Sequence, residues 1–132
     1  MCSRTKVALW SLALAGLALA AVAYFYARSL ALFGGCGNDI LAEAVSPDGA
    51  YVAAVFERNC GATTPYYHVV SLRLRADRFD PEKQSAWVFE VRDRPTVRVS
   101  WTGNRQLSIV RNSAREATLQ LQSWEDVRIS YR

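Results

Sequence analysis

The chain has 132 residues, of which 51% are hydrophobic, and its 16 basic and 12 acidic residues give a formal net charge of +4. That length has room for one domain of ordinary size. Three of the 16 basic residues, Arg4, Lys6 and Arg28, stand in the first 28 positions without an acid, so the remainder carries 13 basic against 12 acidic residues. A part so close to neutral argues against nucleic acid as a partner, although an uneven distribution still allows a positive face.

The N-terminus is short and basic up to Lys6, and Val7 to Ala27 then runs 21 residues without a charge. As a helix this stretch is about 31 Å long, close to the hydrocarbon thickness of a bilayer. Trp10 near one end and Tyr24, Phe25 and Tyr26 near the other suit the two headgroup regions. The chain therefore divides into an anchor or signal over 1–28, a linker over 29–35 and an extracytoplasmic domain over 36–132. Three fates compete for the first segment. It is retained as an anchor, cleaved after Ala21-Val22-Ala23, or processed as a lipoprotein at Cys36, where Leu32-Phe33-Gly34-Gly35 makes a poor lipobox. Arg4 and Lys6 outnumber Arg28, which places the C-terminal part in the periplasm or outside the cell and Cys2, as a bystander, in the cytoplasm. Gly16 and Ala20 offer a small-residue face for a second helix.

From Cys36 onward the pattern is all-β. Ile40–Val45 and Tyr51–Phe56 flank Ser46-Pro47-Asp48-Gly49, in which Pro47 presets φ, Asp48 bonds the backbone ahead and Gly49 accepts a positive φ. The result is a hairpin. Tyr51–Phe56 is apolar at odd and even positions alike, which predicts a central strand covered on both faces. Cys36 and Cys60 bracket this hairpin. If joined, they close a loop of about 25 residues, removing roughly 3.5 kcal/mol of unfolded-state freedom in the chain-entropy model. Such a bridge persists in an oxidising compartment and excludes lipidation of Cys36.

The run Phe56-Glu57-Arg58-Asn59-Cys60-Gly61-Ala62-Thr63-Thr64 after a Ser-Pro-Asp-Gly turn resembles a recurring family of small exported or membrane-anchored bacterial proteins. The likeness covers about residues 36–75, and Val127-Arg128-Ile129-Ser130-Tyr131 is also similar. It implies an exported β fold rather than any activity. Val99-Ser100-Trp101-Thr102-Gly103 looks like a second, degenerate copy of the turn unit found in exported β-propellers, but two units cannot close a propeller.

Cys60–Pro65 reads as a loop. Tyr66–Arg75 then alternates Val70, Leu72 and Leu74 with Ser71, Arg73 and Arg75, as a half-buried strand does. Asp77–Gln84 reads as a connection with room for one helical turn. Trp87, Phe89 and Val91 share a face opposite Glu90 and Arg92, and Val97, Val99 and Trp101 oppose Arg98 and Ser100. A turn at Thr102-Gly103-Asn104 leads to Leu107 and Ile109, after which Leu119 and Leu121 alternate with glutamines and Val127, Ile129 and Tyr131 complete the series. Seven or eight short strands predict a small antiparallel β-meander or sandwich-like domain behind one N-terminal transmembrane helix.

Two candidate surfaces emerge. Arg73, Arg75, Arg92, Arg98 and Arg128 occupy outward positions of different strands. On neighbouring strands they form a basic face for an anionic envelope component or an acidic protein, and otherwise a solvated face that discourages edge aggregation. The second candidate is the Cys60–Pro65 loop with its surroundings: Gly61, Thr63, Thr64, Tyr66 and His68. A nucleophile and base on this loop require a free Cys60 thiolate, which a disulfide removes. Two cysteines and one histidine fall short of a structural zinc site, and no phosphate loop, HExxH or GxSxG occurs, so no cofactor is expected. The expectation is a non-enzymatic module anchored through residues 7–27 that binds an unknown partner. An envelope enzyme using His68 and the Cys60–Pro65 loop, and an inhibitor or immunity-like protein, are the alternatives.

Overall fold

The computed structural model describes residues 2–33 and 35–132, with side chains at residues 10, 12–29 and 35–132. The first element is helix α1, Cys2–Phe33. It continues past Arg28 and takes in residues 29–33, expected above as linker. Within it Leu12–Ser29 is long and apolar enough to cross a membrane. Trp10, Leu12, Leu14, Leu17, Leu19, Val22 and Phe25 are all exposed. A helix apolar on every side needs an apolar surrounding. The side chains of Cys2, Arg4, Lys6 and Leu32–Gly34 lie outside the described residues.

The second compact unit is Cys36–Arg132. It contains nine strands: β1 Gly37–Val45, β2 Tyr51–Asn59, β3 Tyr67–Leu74, β4 Trp87–Arg92, β5 Val97–Gly103, β6 Gln106–Arg111, β7 Ala117–Gln120, β8 Ser123–Trp124 and β9 Val127–Tyr131. The strand beyond the expected count is the two-residue β8. One sheet has the order β1-β2-β3-β4-β7 and the other β5-β6-β9-β8. The first four strands form a meander, but the chain then crosses to the second sheet for β5 and β6, returns for β7, and crosses again for β8 and β9. Neighbours are antiparallel except β6 and β9, which run parallel.

The main core joins the two sheets. Tyr51, Ala53, Val55, Val70, Leu72, Phe89 and Val91 of the first meet Val97, Leu107, Ile109, Val127 and Ile129 of the second. Every residue from Tyr51 to Phe56 is buried, as the unbroken apolar run predicts. β2 is nevertheless the second strand of five, and β3 holds the centre.

Three expectations about faces are corrected. β3 is not half-buried, because His68 to Leu72 are all buried. The cause is the connection from Arg75 to Ala86, which folds across the outer face of the five-stranded sheet. There Phe79 joins Phe56, Val69, Trp87, Tyr67 and Leu119 in a second apolar cluster. The helical turn of this connection falls at Gln84–Ala86, at its end. Trp87 does not share a face with Phe89 and Val91. Ser71 pairs with Trp87 while the adjacent Val70 pairs with Phe89, so Val88 is an extra residue in β4. Such a bulge shifts the alternation by one, and Val88 and Phe89 both enter the main core while Trp87 turns to the outer cluster. The same effect operates between β4 and β7, where the extra residue Thr118 leaves Ala117 on the main core and turns Leu119 to the outer cluster; Leu121, past the end of β7, does not share the face of Leu119 and packs on the main core. Finally, β5 extends through Gly103, so the turn into β6 is Asn104-Arg105.

Candidate functional site

The register of the first hairpin explains the disulfide. Gly37 pairs with Asn59 at the open end of β1 and β2, which sets Cys36 opposite Cys60, and the two are bonded across a sequence separation of 24. The bond occupies the sulfur that lipoprotein processing would use. At the closed end the turn forms as its residues dictate, with Gly49 at φ +72°. Asp48 Oδ1 accepts from the Ser46 hydroxyl at 2.6 Å and from Ala50 N–H at 3.1 Å. These donors, with Arg105 beside them, hold the Asp48 carboxyl down at about 2.

Arg105 is the hub of that end. Its guanidinium bridges Asp48 and Asp126 and lies 4.6 Å above the Tyr51 ring. The Tyr51 hydroxyl donates to Asp126 at 2.7 Å, and this bond, followed by Arg105, lowers the pKa of Asp126. Trp101 stacks on Tyr51 and donates its indole N–H to the Ala44 carbonyl at 2.9 Å, tying β5 to β1. The network joins three turns and both sheets, which makes it structural.

The opposite end carries the expected loop. Cys60 to Thr64 are all exposed. Gly61 sits at φ +120°, a conformation open to glycine. Its N–H bonds the Asn59 side chain at 3.1 Å, and its carbonyl accepts from the Thr64 N–H and hydroxyl at 3.1 and 2.9 Å. Both ends of the loop are held. Cys60 is bridged to Cys36, and the Tyr66 carbonyl accepts from Asp93 N–H at 2.8 Å while its ring lies 3.6 Å beneath the Arg94 guanidinium.

On the strands that lead into and out of the loop, Glu57 and His68 join Arg94 in a polar cluster in which His68 is buried, Glu57 partly covered and Arg94 exposed. Arg94 grips Glu57 in a fork, Nε to Oε2 at 2.8 Å and Nη2 to Oε1 at 3.0 Å. His68, 7% exposed, directs Nε2 to Glu57 Oε2 at 3.3 Å. A carbonyl oxygen only accepts, so Nδ1 donates to Pro95, 2.7 Å away. Both ring nitrogens are thus engaged by scaffold groups, and among the described residues no hydrogen bond links His68 to Thr63, Thr64 or Tyr66. His68 ties β3 to Glu57 of β2 and to the return of the chain at Pro95.

The five arginines do not form one face. Arg73, Arg75 and Arg92 belong to β3, its end and β4, whereas Arg98 and Arg128 belong to β5 and β9 of the other sheet. Arg73 is paired with Glu43 at 2.8 Å. Sequence reasoning missed Arg58, Glu57 and Arg94, because charged positions near the end of a strand read as solvent-facing. Arg58 forks onto Glu82 with both nitrogens at 2.9 Å, donates to Asn38 and covers the Trp87 ring at 5.3 Å. Asn38 in turn donates to the Cys36 carbonyl. The connection over the outer face is thereby clamped to the bridged end.

These features define a small all-β, two-sheet domain with a cross-strand disulfide, preceded by a helix of membrane-spanning length. No protein-family model, curated protein or solved structure matches the chain.

Proposed function

We propose that this is a membrane-anchored, extracytoplasmic binding module that presents the Cys60–Tyr66 loop to a partner. The observation that carries the reading is the contrast within that loop. Its backbone is fixed at both ends by a disulfide and an Arg94–Tyr66 stack, while Gly61, Ala62, Thr63 and Thr64 turn to solvent. Preorganisation lowers the entropy lost when a partner binds. A domain held near a membrane by one helix gains from such a fixed epitope.

A photo-crosslinking residue at Thr63, introduced into the full chain in its own cells, tests this. The expected result is a discrete adduct that disappears in the Cys36→Ser, Cys60→Ser double variant and survives in His68→Gln. A Thr63 that yields no adduct, or the same adducts as a probe at the distant Asn104, refutes the loop as the contact. Loss of the adduct in His68→Gln with the fold intact would support the enzyme or another role for the imidazole.

A further inference from the structure

We infer that the outer face of the four-stranded sheet is a second binding surface, for an anionic sugar polymer. Alternation places Arg98, Ser100 and Thr102 of β5, Gln106, Ser108 and Val110 of β6, and Arg128 and Ser130 of β9 on this face, since Val97, Leu107, Ile109, Val127 and Ile129 occupy the core. The registers align them. Ser100 pairs with Ser108 and Ser108 with Ser130, so three serines form one row across three strands, of which Ser100 and Ser130 are exposed and Ser108, 3% exposed, lies packed between them. Arg98 opposite Val110 lies on one side of the row, and Gln106 opposite Arg128 on the other.

Charge sets this face apart. No outward position of these strands is acidic. Arg58, Arg73, Arg94, Arg105 and Arg115 are ion-paired, whereas Arg98 and Arg128, like Arg75, Arg78 and Arg92 elsewhere, have no ion pair or side-chain hydrogen bond among the described residues. Each lines its own shallow depression. Arg98 lies with Thr96, Val110 and Asn112, and Arg128 with Thr102, Gln106 and Ser130. The two arginines are four residues apart along the strand direction, about 13 Å. A single carboxylate or phosphate cannot reach both, but a chain of repeating anions can.

The rest of the face selects among polyanions. Its hydroxyls and amide match sugar hydroxyls, and guanidinium forks match carboxylates. Val110 is its one exposed large apolar side chain. It therefore lacks the aromatic anchors of protein interfaces and the apolar wedge of membrane-surface segments.

The test uses the full chain in zwitterionic nanodiscs, titrated with fluorescent oligogalacturonate long enough to cover both depressions and with neutral dextran. Saturable binding of the uronate alone is expected, weakening with salt. Arg98→Gln and Arg128→Gln should each raise Kd roughly tenfold, as loss of a charge-assisted fork implies. Arg75→Gln, on the other sheet, should not. Absent binding, equal binding of dextran, or affinity unmoved by the two substitutions overturns the proposal. So does capture by phosphatidylglycerol vesicles in place of the uronate, abolished by the same substitutions, which would assign the face to lipid. None of these outcomes depends on the loop at Cys60.

Discussion

Replacing Phe79 with Ala should detach the connection that covers the outer face of the five-stranded sheet. Phe79 is half-buried and meets the Phe56 ring edge-on at 5.3 Å. Full burial of such a side chain contributes about 1.5–3 kcal/mol, so half-burial supplies about 1 kcal/mol, and an edge-to-face pair adds about 0.5–1.5 kcal/mol. The expected loss is about 2 kcal/mol, or roughly 10 °C in Tm for a domain of this size. Fluorine NMR of the chain labelled with fluorotryptophan would report it locally. Trp87 is 7% exposed and sits beneath the connection, so its resonance should move and become solvent-accessible while that of Trp101 stays; Trp124, whose indole N–H donates to the Ser85 carbonyl of the same connection at 2.9 Å, should move with it. A loss under about 0.5 kcal/mol with Trp87 unmoved would mean that the connection does not pack there, and the account of why β3 is buried on both faces would fail.

Other perturbations follow from the same framework. The Cys36→Ser, Cys60→Ser variant should lose roughly 3.5 kcal/mol in denaturant unfolding, with the oxidised protein matching it once reduced; equal midpoints with and without reductant would show that the bridge constrains nothing. Asp48, held near 2 in the folded chain against 3.8 ordinarily, contributes stability that is present above 3.8 and lost as pH falls through about 2. Asp126 and Glu82 shift in the same direction, so an acid titration should show stability declining over that window, and Asp48→Asn should flatten the decline. Leu19→Arg places a charge in the apolar span, costing about 2.5–3.5 kcal/mol at a helix centre; alkaline extraction should then release protein that the parent retains in the membrane pellet, and unchanged retention would refute α1 as the anchor.

Much of this architecture is legible in the amino-acid order where one local cause dominates. The Ser46–Gly49 turn follows from the backbone preferences of its own residues, and the double burial of β2 from a run of six apolar or small side chains. β9, and β5 as far as Trp101, show their faces because nothing interrupts their alternation; the register of β5 shifts only at Thr102. Legibility fails where a distant segment intervenes. Arg73 and Ser71 mark β3 as half-exposed, and only Phe79 and Glu82, arriving from the connection, cover that face. Trp87 reads as a partner of Phe89 until the extra residue Val88 turns it over, and no residue type announces a bulge. The loop at Cys60 was visible, but its supports were not. Glu57, His68 and Arg94 are 11 to 37 residues apart, and their convergence depends on pairing β2 with β3 and on the return of the chain at Pro95.

The parallel pair of β6 and β9 has a consequence for the order of assembly. β9 lies between β6 and β8 and supplies Val127 and Ile129 to the main core. As the chain is made from its N-terminus, β1 to β4 can pair as each appears. The second sheet lacks one of its two inner strands until Val127–Tyr131 is available. Before that moment β6 offers an unpaired edge and the first sheet an uncovered apolar face, the state most open to proteolysis and misassociation. Closure of the core thus waits on a strand made late, and the interval before it is when the folding chain is most exposed to misassociation.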